Sequence, residues 1–364
     1  MKKWTRMLTI ALLVFSILIG GCAPSIDPME DETTDPTVVD DFSEPTTAQT
    51  TDPTEPNNKP GYLSYGFFKP PIDEKGRYVQ YDGGEMQLKL KLDASGDVNV
   101  FKGTGILLFV DGHIQPYKTK DDDTYRYMHT VYPEDGIPLI IDLSFIPVSG
   151  KVGDTLEIGF SYIFYPDYSY SADGGIGFVL TGSAPAMSSR LIMEATPEEL
   201  ELPEVKDRVI SWTVSKEPLT AQDTKGWTAQ DFQTKCKSDF KVNPDDPVNQ
   251  LYSYVWNISE NKPIKVRFEV WGNPFVHYGL VFFLDNEVVS VDPEDQMFIT
   301  VEEGYKTVVE AEIDMTGFDG EGSVYAALVP RNQFATEILT DSYIQMAHYY
   351  LLFDECPLPE AWRE

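Results

Sequence analysis

Four histidines are the residues of this chain best suited to acid–base or metal chemistry: His113, His129, His277 and His348. They form neither an HExxH nor an HxH pattern, and no Cys–His spacing matches a zinc site. The chain also has no GxSxG elbow and no glycine-rich phosphate loop before a helix. We therefore predict a non-enzymatic protein with no cofactor and no bound metal. The alternative is a surface hydrolase or carbohydrate-processing protein that uses carboxylates scattered across strand ends, about 5–10 Å apart in a cleft.

Two acidic loops contain clustered carboxylates of the kind that bind hard cations. They are "KDDDTY" (residues 120–125) and "NPDDPVN" (residues 243–249). Calcium prefers several oxygen ligands, but neither loop has the alternating ligands and central glycine of an EF-hand. We interpret both loops as solvated turns, with a calcium site as the alternative.

The candidate recognition surface is the loop within "YIFYPDYSYSADGG" (residues 162–175). Strand alternation accounts for the first aromatic residues, but Tyr165, Tyr168 and Tyr170 continue into a Pro/Asp/Ser/Gly segment. Exposed tyrosines on a loop can stack on sugar rings or anchor a protein partner. We therefore predict that these three tyrosines bind a glycan or a surface-protein ligand. The alternative is a loop folded back onto its own domain.

Charge and composition narrow the class of protein. The chain has 28 basic and 59 acidic residues, giving a formal net charge of −31. A protein this acidic is repelled by nucleic acid and by anionic lipid headgroups, so neither is an expected partner. Tyr and Phe number 20 each, and Gly and Pro 26 each, a composition that favours β-structure with many turns.

The first 22 residues have the pattern of a signal peptide. Lys2, Lys3 and Arg6 precede an apolar segment, residues 7–19, of about 13 residues, which is shorter than a membrane-spanning helix requires. Ile19, Gly20 and Gly21 then precede Cys22 ("IGGC"). An ordinary secretory signal with an incidental cysteine is the alternative interpretation.

The "IGGC" segment resembles the lipobox of surface lipoproteins of Gram-positive bacteria. This resemblance implies cleavage after residue 21, attachment of a diacylglyceryl group to the Cys22 thiol, and anchoring at the extracellular face of the cell membrane. "GILLFVDGHIQPY" (residues 105–117) is similar to segments of lipoproteins of this kind that have no assigned activity, so it carries over no functional residues.

In an oxidising compartment, Cys236 and Cys356 could form a disulfide. The bond would close a loop of about 120 residues and stabilise the fold by roughly 4–5 kcal/mol in the chain-entropy estimate. Two unpaired thiols are the alternative.

Residues 22–60 combine many acidic residues with Pro and Thr. Such a segment has little to bury, so we predict a disordered stalk. A specific peptide ligand for a partner is the alternative interpretation.

After residue 60, short apolar segments alternate with turn residues. Residues 86–93 ("MQLKLKLD"), 155–164 ("TLEIGFSYIF"), 264–270 ("IKVRFEV") and 307–315 ("TVVEAEIDM") show the period of half-buried strands. Short helical turns are possible at residues 196–200 and 228–232. The pattern predicts an all-β fold of purely antiparallel strands.

A repeat divides this β-region into two copies. "GILLFVDGHIQPY" (residues 105–117) matches "GLVFFLDNEVVSV" (residues 279–291), "VGDTL" (152–156) matches "EGSVY" (321–325), Pro166 matches Pro330, and "LTGSAPAM" (180–187) matches "LTDSYIQM" (339–346). Shifted matches in a constant order are typical of a duplicated domain with loop deletions. Both apolar segments are continuous, which indicates strands covered on both faces, and Asp-Gly or Asp-Asn follows as in a two-residue hairpin turn.

The predicted organisation is therefore a signal peptide at residues 1–21, the lipidated stalk at 22–60, and two tandem immunoglobulin-like β-sandwiches at 61–200 and 201–364. A closed barrel for each copy is the alternative. The predicted function is extracellular, lipid-anchored binding, adhesion or envelope scaffolding.

Overall fold

The computed structural model describes residues 46–50, 61–68, 79–96, 103–164, 166, 188–244, 255–257, 262–289, 296–318, 321–331, 344–346 and 350–353. All of them belong to one compact unit, Ser43–Glu364. The second unit, Met1–Phe42, lies outside the described residues.

The first half of the unit forms two sheets. Sheet I contains, in spatial order, β1 (Thr46–Thr50), β2 (Gly61–Phe67), β4 (Met86–Ser95), β10 (Leu139–Phe145), β7 (Tyr117–Thr119) and β8 (Asp122–Arg126). Sheet II contains β3 (Val79–Tyr81), β12 (Ser188–Met193), β11 (Thr155–Ile163), β5 (Thr104–Val110) and β6 (His113–Gln115), and β9 (Met128–Val131) also pairs with β5.

The second half repeats this arrangement. Sheet III contains β15 (Val255–Asn257), β23 (Tyr350–Phe353), β21 (Glu321–Arg331), β17 (His277–Leu284) and β18 (Glu287–Val289), with β19 (Met297–Thr300) on β17 and β22 (Gln345–Met346) on β21. Sheet IV contains β13 (Val209–Pro218), β20 (Tyr305–Ile313), β16 (Ile264–Gly272) and β14 (Cys236–Val242). One short helix, α1 (Asp231–Thr234), precedes β14. The predicted all-β fold of two tandem sandwiches is confirmed.

Alternation of side chains creates one core inside each sandwich. In β4 the buried residues recur at every second position, as expected when one face of a strand packs and the other meets solvent. Sheets I and II enclose the first core, which includes Leu88, Leu90, Ile106, Leu108, Phe145, Ile158 and Phe160. Sheets III and IV enclose the second core, which includes Val266, Phe268, Leu280, Phe282, Val309, Ala326 and Leu328.

A third core joins the two sandwiches, and we call it the junction core. It contains Leu107, Phe109, Ile114, Tyr127 and Ile163 from the first sandwich and Val281, Phe283, Val288, Tyr325, Ala327, Val329 and Ile344 from the second. Sheet II therefore packs against sheet III, and the four sheets form consecutive layers in the order I, II, III, IV. Each apolar side chain buried here contributes about 1.5–3 kcal/mol, so the sandwiches are coupled through a substantial interface.

The junction core explains the two continuous apolar segments. In β5, Leu108 faces the first core while Phe109 faces the junction core. In β17, Phe282 faces the second core while Phe283 faces the junction core. Both strands are thus buried on both faces, as the sequence predicts. The same burial covers β11 on both faces, where its alternating sequence had predicted a half-buried strand.

The predicted hairpin turns are confirmed. β5 pairs with β6 through Val110 and His113, and β17 pairs with β18 through Leu284 and Glu287. The turn residues all have left-handed backbone angles, with φ of 47° at Asp111, 82° at Gly112, 51° at Asp285 and 62° at Asn286. Two consecutive positive φ values define a type I′ turn, which Asp, Asn and Gly tolerate best.

Strand pairing gives a more accurate register for the repeat. Gly159 lies opposite Phe109 on β5, and Tyr325 lies opposite Phe283 on β17. Gly159 therefore corresponds to Tyr325, whereas the sequence match had paired Leu156 with that tyrosine. The match was wrong in this strand by an odd number of positions, which exchanges the two faces of a strand.

Three further expectations differ from the structure. Strands β3 with β12 and β15 with β23 are parallel, so the sheets are not purely antiparallel. Residues 196–200 form no helix, and the predicted turn at 228–232 instead becomes α1. Within the segment predicted to be disordered, β1 pairs with β2 along its whole length, because "TTAQT" is uncharged and rich in β-branched threonine.

Candidate functional site

A groove of about 1180 Å³ lies where the first sandwich meets the hairpin turn and linker of the second, and we call it the junction groove. Its walls come from three parts of the chain. The first sandwich supplies residues 119–122, 125–132 and 139–142, the linker supplies Pro203, Glu204 and Lys206, and the second sandwich supplies residues 285–288.

The groove exists because the chain crosses from one sheet to the next at this edge. After β7 and β8 in sheet I, the chain passes Tyr127 and enters sheet II as β9. β9 pairs with β5 along one side. Among the described residues, no strand pairs with its other side. β8 likewise pairs only with β7 within the described part of the chain, so the groove is lined by open strand edges.

Acidic side chains predominate on the groove lining. Its carboxylates are Asp121, Asp122, Asp142, Glu204, Asp285 and Glu287, and its cations are Lys120, Arg126 and Lys206. Arg126 pairs with Asp122 at 2.9 Å, and Lys206 pairs with Glu287. Three cations against six carboxylates give the lining a formal net charge of −3.

Asp122 and His129 form a polar pair on the groove wall. His129 Nε2 lies 2.8 Å from the Tyr117 carbonyl, to which it donates, and His129 Nδ1 lies 3.9 Å from Asp122 Oδ2. Burial lowers the pKa of His129. The hydrogen bond from Thr124 lowers the pKa of Asp122, so Asp122 is ionised at neutral pH and unsuited to act as a general acid. His129 Nε2 is thus hydrogen-bonded to the backbone rather than directed at a nucleophile.

Two large apolar side chains on the groove lining are exposed to solvent. Tyr132 is 58% exposed and Ile140 is 37% exposed. Tyr125 is held more firmly, since its hydroxyl donates to Glu85 at 2.9 Å and Lys118 lies 4.7 Å above its ring. The lining therefore combines carboxylates with an aromatic and an aliphatic surface open to solvent. Sequence patterns did not single out Tyr132 or Ile140, because each follows ordinary strand residues.

The wall from the second sandwich connects the groove to the predicted tyrosine loop. Asn286 Nδ2 donates to the Pro166 carbonyl at 2.5 Å, and Asn286 lines the groove. Pro166 adjoins Tyr165 in the chain. Tyr165, Tyr168 and Tyr170 themselves lie outside the described residues, so the assignment of ligand binding to them stays a prediction.

Two carboxylates of the acidic loop at residues 120–125 pair with the protein's own cations. Asp123 pairs with Lys118 at 3.0 Å, and Asp122 accepts from Thr124 at 3.0 Å while binding Arg126. Within the described ranges, no group of three His, Cys, Asp or Glu side chains is arranged to hold a metal ion. Of the other acidic loop, residues 245–249 lie outside the described part.

Of the cysteines, only Cys236 is described. It begins β14 opposite Gly272, and burial raises the pKa of its thiol to about 12. A thiol with so high a pKa is a poor nucleophile at neutral pH. Cys22 and Cys356 lie outside the described residues, so lipid attachment and the Cys236–Cys356 disulfide stay predictions. Among the described residues, no helix has the length and apolar character needed to cross a membrane.

No family model matches this chain, and no curated protein sequence matches it. Three solved structures similar to it are domains of streptococcal proteins. The C-terminal domain of the Streptococcus agalactiae AgI/II polypeptide BspA is 9% identical with a TM-score of 0.22, and covers 79% of this chain and 99% of its own. The C-terminal domain of the Streptococcus pyogenes antigen I/II-family protein AspA is 10% identical with a TM-score of 0.22, and covers 80% and 98%.

The N-terminal domain of the Streptococcus gordonii adhesin Sgo0707 is 5% identical with a TM-score of 0.19, and covers 81% of this chain and 66% of its own. TM-scores this low do not establish a common fold. The function must therefore be argued from the chain's own residues.

Proposed function

We propose that this chain is a non-enzymatic binding protein of the bacterial surface, anchored by a lipid at Cys22, which captures a glycan or surface-protein ligand in the junction groove. The observation that carries this proposal is the groove itself. It combines open strand edges, exposed Tyr132 and Ile140, and a net negative lining. Exposed aromatic and aliphatic groups beside polar ones are typical of recognition surfaces.

The geometry favours binding over catalysis. His129 donates to a backbone carbonyl, and Asp122 is held ionised between Thr124 and Arg126. These side chains are occupied by structural contacts and leave no proton donor or nucleophile directed into the groove from this pair. A ligand could still use the exposed tyrosine, the isoleucine and the carboxylates of the rim.

A binding screen tests the groove directly. The compact unit Ser43–Glu364 would be screened against glycans and surface proteins, and each ligand found would be measured with the Tyr132→Ala/Ile140→Ser variant. We expect binding to fall at least about tenfold, since truncating a central aromatic contact commonly costs over 1 kcal/mol. The matched control is Val152→Ser, at a side chain 62% exposed outside the groove. Equal loss in both variants, or in neither, would contradict the proposal.

The tyrosine loop has a separate test. A Tyr165→Ala/Tyr168→Ala/Tyr170→Ala variant should weaken the same ligand, because the loop is joined to the groove through Pro166. Unchanged binding would remove the three tyrosines from the site while leaving the groove in place.

Lipid anchoring is tested by location. In cells, the Cys22→Ser protein should be released into the medium, because a diacylglyceryl group supplies the membrane affinity at about 0.8 kcal/mol per buried CH₂. Retention of this variant in the membrane fraction would contradict the anchor.

A further inference from the structure

We propose that the junction groove binds an extended, cationic polypeptide segment of a partner protein, which adds as a strand to the open edge of β9. This inference rests on the proposed function and names the chemical class of its ligand. It depends on the strand edge, the lining charge and the charge of the chain as a whole.

The strand edge supplies the main-chain recognition. Residues Met128–Val131 pair with β5 in an unbroken antiparallel register. On their other side, the structure records no backbone hydrogen bond from these residues to any described strand. An extended peptide that adds to such an edge gains main-chain hydrogen bonds, and its alternate side chains select among pockets. At about 3.3 Å per residue, this edge accommodates a strand of about four residues.

The rim selects the side chains of that peptide. Asp121 and Glu204 line the groove, are exposed, and have no ion-pair partner among the described residues. Asp121 belongs to the first sandwich and Glu204 to the linker. Tyr132 and Ile140 add exposed apolar surface to the same lining. A peptide that alternates cationic and apolar side chains would place its charges at the carboxylates and its apolar groups at this surface.

Charge also disfavours the stalk and a second copy of the protein as occupants. Residues 26–60 contain ten acidic residues and one lysine, and the whole chain has a net charge of −31. The stalk and a second copy of the protein are therefore both repelled by an acidic groove. A neutral glycan can donate hydrogen bonds to the carboxylates, but it gains no charge attraction from them. A cationic segment of another protein is the occupant whose charge is complementary.

The test uses the compact unit Ser43–Glu364 and a synthetic peptide of about ten residues that alternates lysine and valine. Binding is measured by calorimetry at low and physiological salt. We expect saturable binding that weakens with salt, no binding of the matched glutamate–valine peptide, and no binding of the lysine–valine peptide N-methylated on every amide. N-methylation removes the donors needed for strand addition but leaves the cations in place.

Variants locate the interaction. Asp121→Asn/Glu204→Gln should weaken the lysine–valine peptide about three- to tenfold, the sum of two exposed charge contacts. The control Glu198→Gln/Glu303→Gln removes two exposed carboxylates outside the groove and should leave the affinity unchanged. Equal effects of the two double variants would overturn the location.

Other outcomes overturn the ligand class. Undiminished binding of the N-methylated peptide would show that strand addition is wrong, and binding of the glutamate–valine peptide would show that charge selection is wrong. Preferential binding of a glucosamine oligomer would assign the groove to an amino sugar instead. If no peptide binds but a ligand from the screen is lost in Tyr132→Ala/Ile140→Ser, this inference fails and the proposed function stands.

Discussion

The two hairpins at residues 104–115 and 277–289 share the same pairing and the same type I′ turn, but their turns have different surroundings. Asp111 is only 5% exposed. Beside it, the Gly112 carbonyl accepts a hydrogen bond from Gln296 Nε2 at 3.1 Å. The turn at Asp285 and Asn286 is open to solvent and lines the junction groove. One copy of the turn seals the interface, and the other lines the proposed binding groove.

Each of the two turns contacts the other sandwich in a similar way. Asp111 lies 3.4 Å from Arg331 at the end of β21, and Asn286 contacts Pro166 just beyond the end of β11. Each turn thus reaches the corresponding strand of the other sandwich, as in an isologous interface. The copies differ where Gln296 binds both the amide of Ile114 and the carbonyl of Gly112. Approximate symmetry positions the sandwiches, and the departure from it leaves the groove open on one side.

The largest expected effect comes from the junction core, where the two copies should behave alike. Phe109→Ala and Phe283→Ala should each lower the free energy of unfolding by about 3–5 kcal/mol, because each leaves a cavity among buried side chains. Phe283 also loses its stacking on Tyr325, whose ring centroid is 4.6 Å away. Urea unfolding measures both.

The matched control is Phe275→Ala, at a side chain 52% exposed, which should change stability by less than about 0.5 kcal/mol. If Phe109→Ala and Phe283→Ala also lowered the free energy of unfolding by less than about 0.5 kcal/mol, the sandwiches would not be coupled through this core.

The next largest loss of stability should differ between the two copies of the hairpin. A Cβ at Gly279 would lie 1.9 Å from the carbonyl oxygen of Gly112, whereas one at Gly105 would lie 2.6 Å from the Sδ of Met128. A backbone carbonyl cannot move aside as easily as the flexible side chain of Met128. Gly279→Ala should therefore lower the free energy of unfolding by about 3 kcal/mol, and Gly105→Ala by about 1 kcal/mol or less. Chemical denaturation of the two variants tests the difference. Equal costs would mean that the turn of the first hairpin is not fixed against β17.

Lowering the pH should destabilise the junction around His113, next to the turn at Asp111 and Gly112. Burial, and then Arg331, lower the pKa of His113 from its ordinary 6.5 to about 4. Between these values the unfolded chain binds a proton that the folded chain does not, so stability falls as pH decreases from about 6.5 to about 4. The contribution is about 2 kcal/mol, reduced from the full shift because the ring is partly exposed.

The check is the free energy of unfolding at pH 7 and pH 4.5 for wild type and His113→Asn. The variant should lose less stability on acidification, and His129, whose pKa burial also lowers, should account for part of the remaining loss. If wild type and His113→Asn lost the same free energy of unfolding on acidification, His113 would not be the group responsible.

The smallest expected effect is at the open turn. Asn286→Gly keeps the left-handed backbone but removes the hydrogen bond to Pro166 and the one that the Tyr325 hydroxyl donates to Asn286 Oδ1 at 3.3 Å, so it should cost about 1–2 kcal/mol. Thermal unfolding at neutral pH is sufficient to measure this. A loss well above about 2 kcal/mol would mean that this turn also seals the junction, and the contrast between the two copies would disappear.

Local pattern was sufficient to predict the sheets, the two apolar strands and both turns. β4 alternates because one face packs, and Asp111-Gly112 adopts positive φ because few other residue pairs can. The groove could not be predicted, since Tyr132, Glu204 and Asp285 come together only when sheet II packs on sheet III. The sequence shows that β5 is covered on both faces, but it does not show which surface covers the second face.

The linker between the sandwiches also determines how the groove responds to dilution. Val205 packs against the junction core, and Lys206 bridges to Val289. The two halves of the interface therefore meet in an intramolecular step, at an effective concentration on the order of millimolar. A groove between separate chains would lose one wall at nanomolar protein. This groove keeps both walls at any protein concentration.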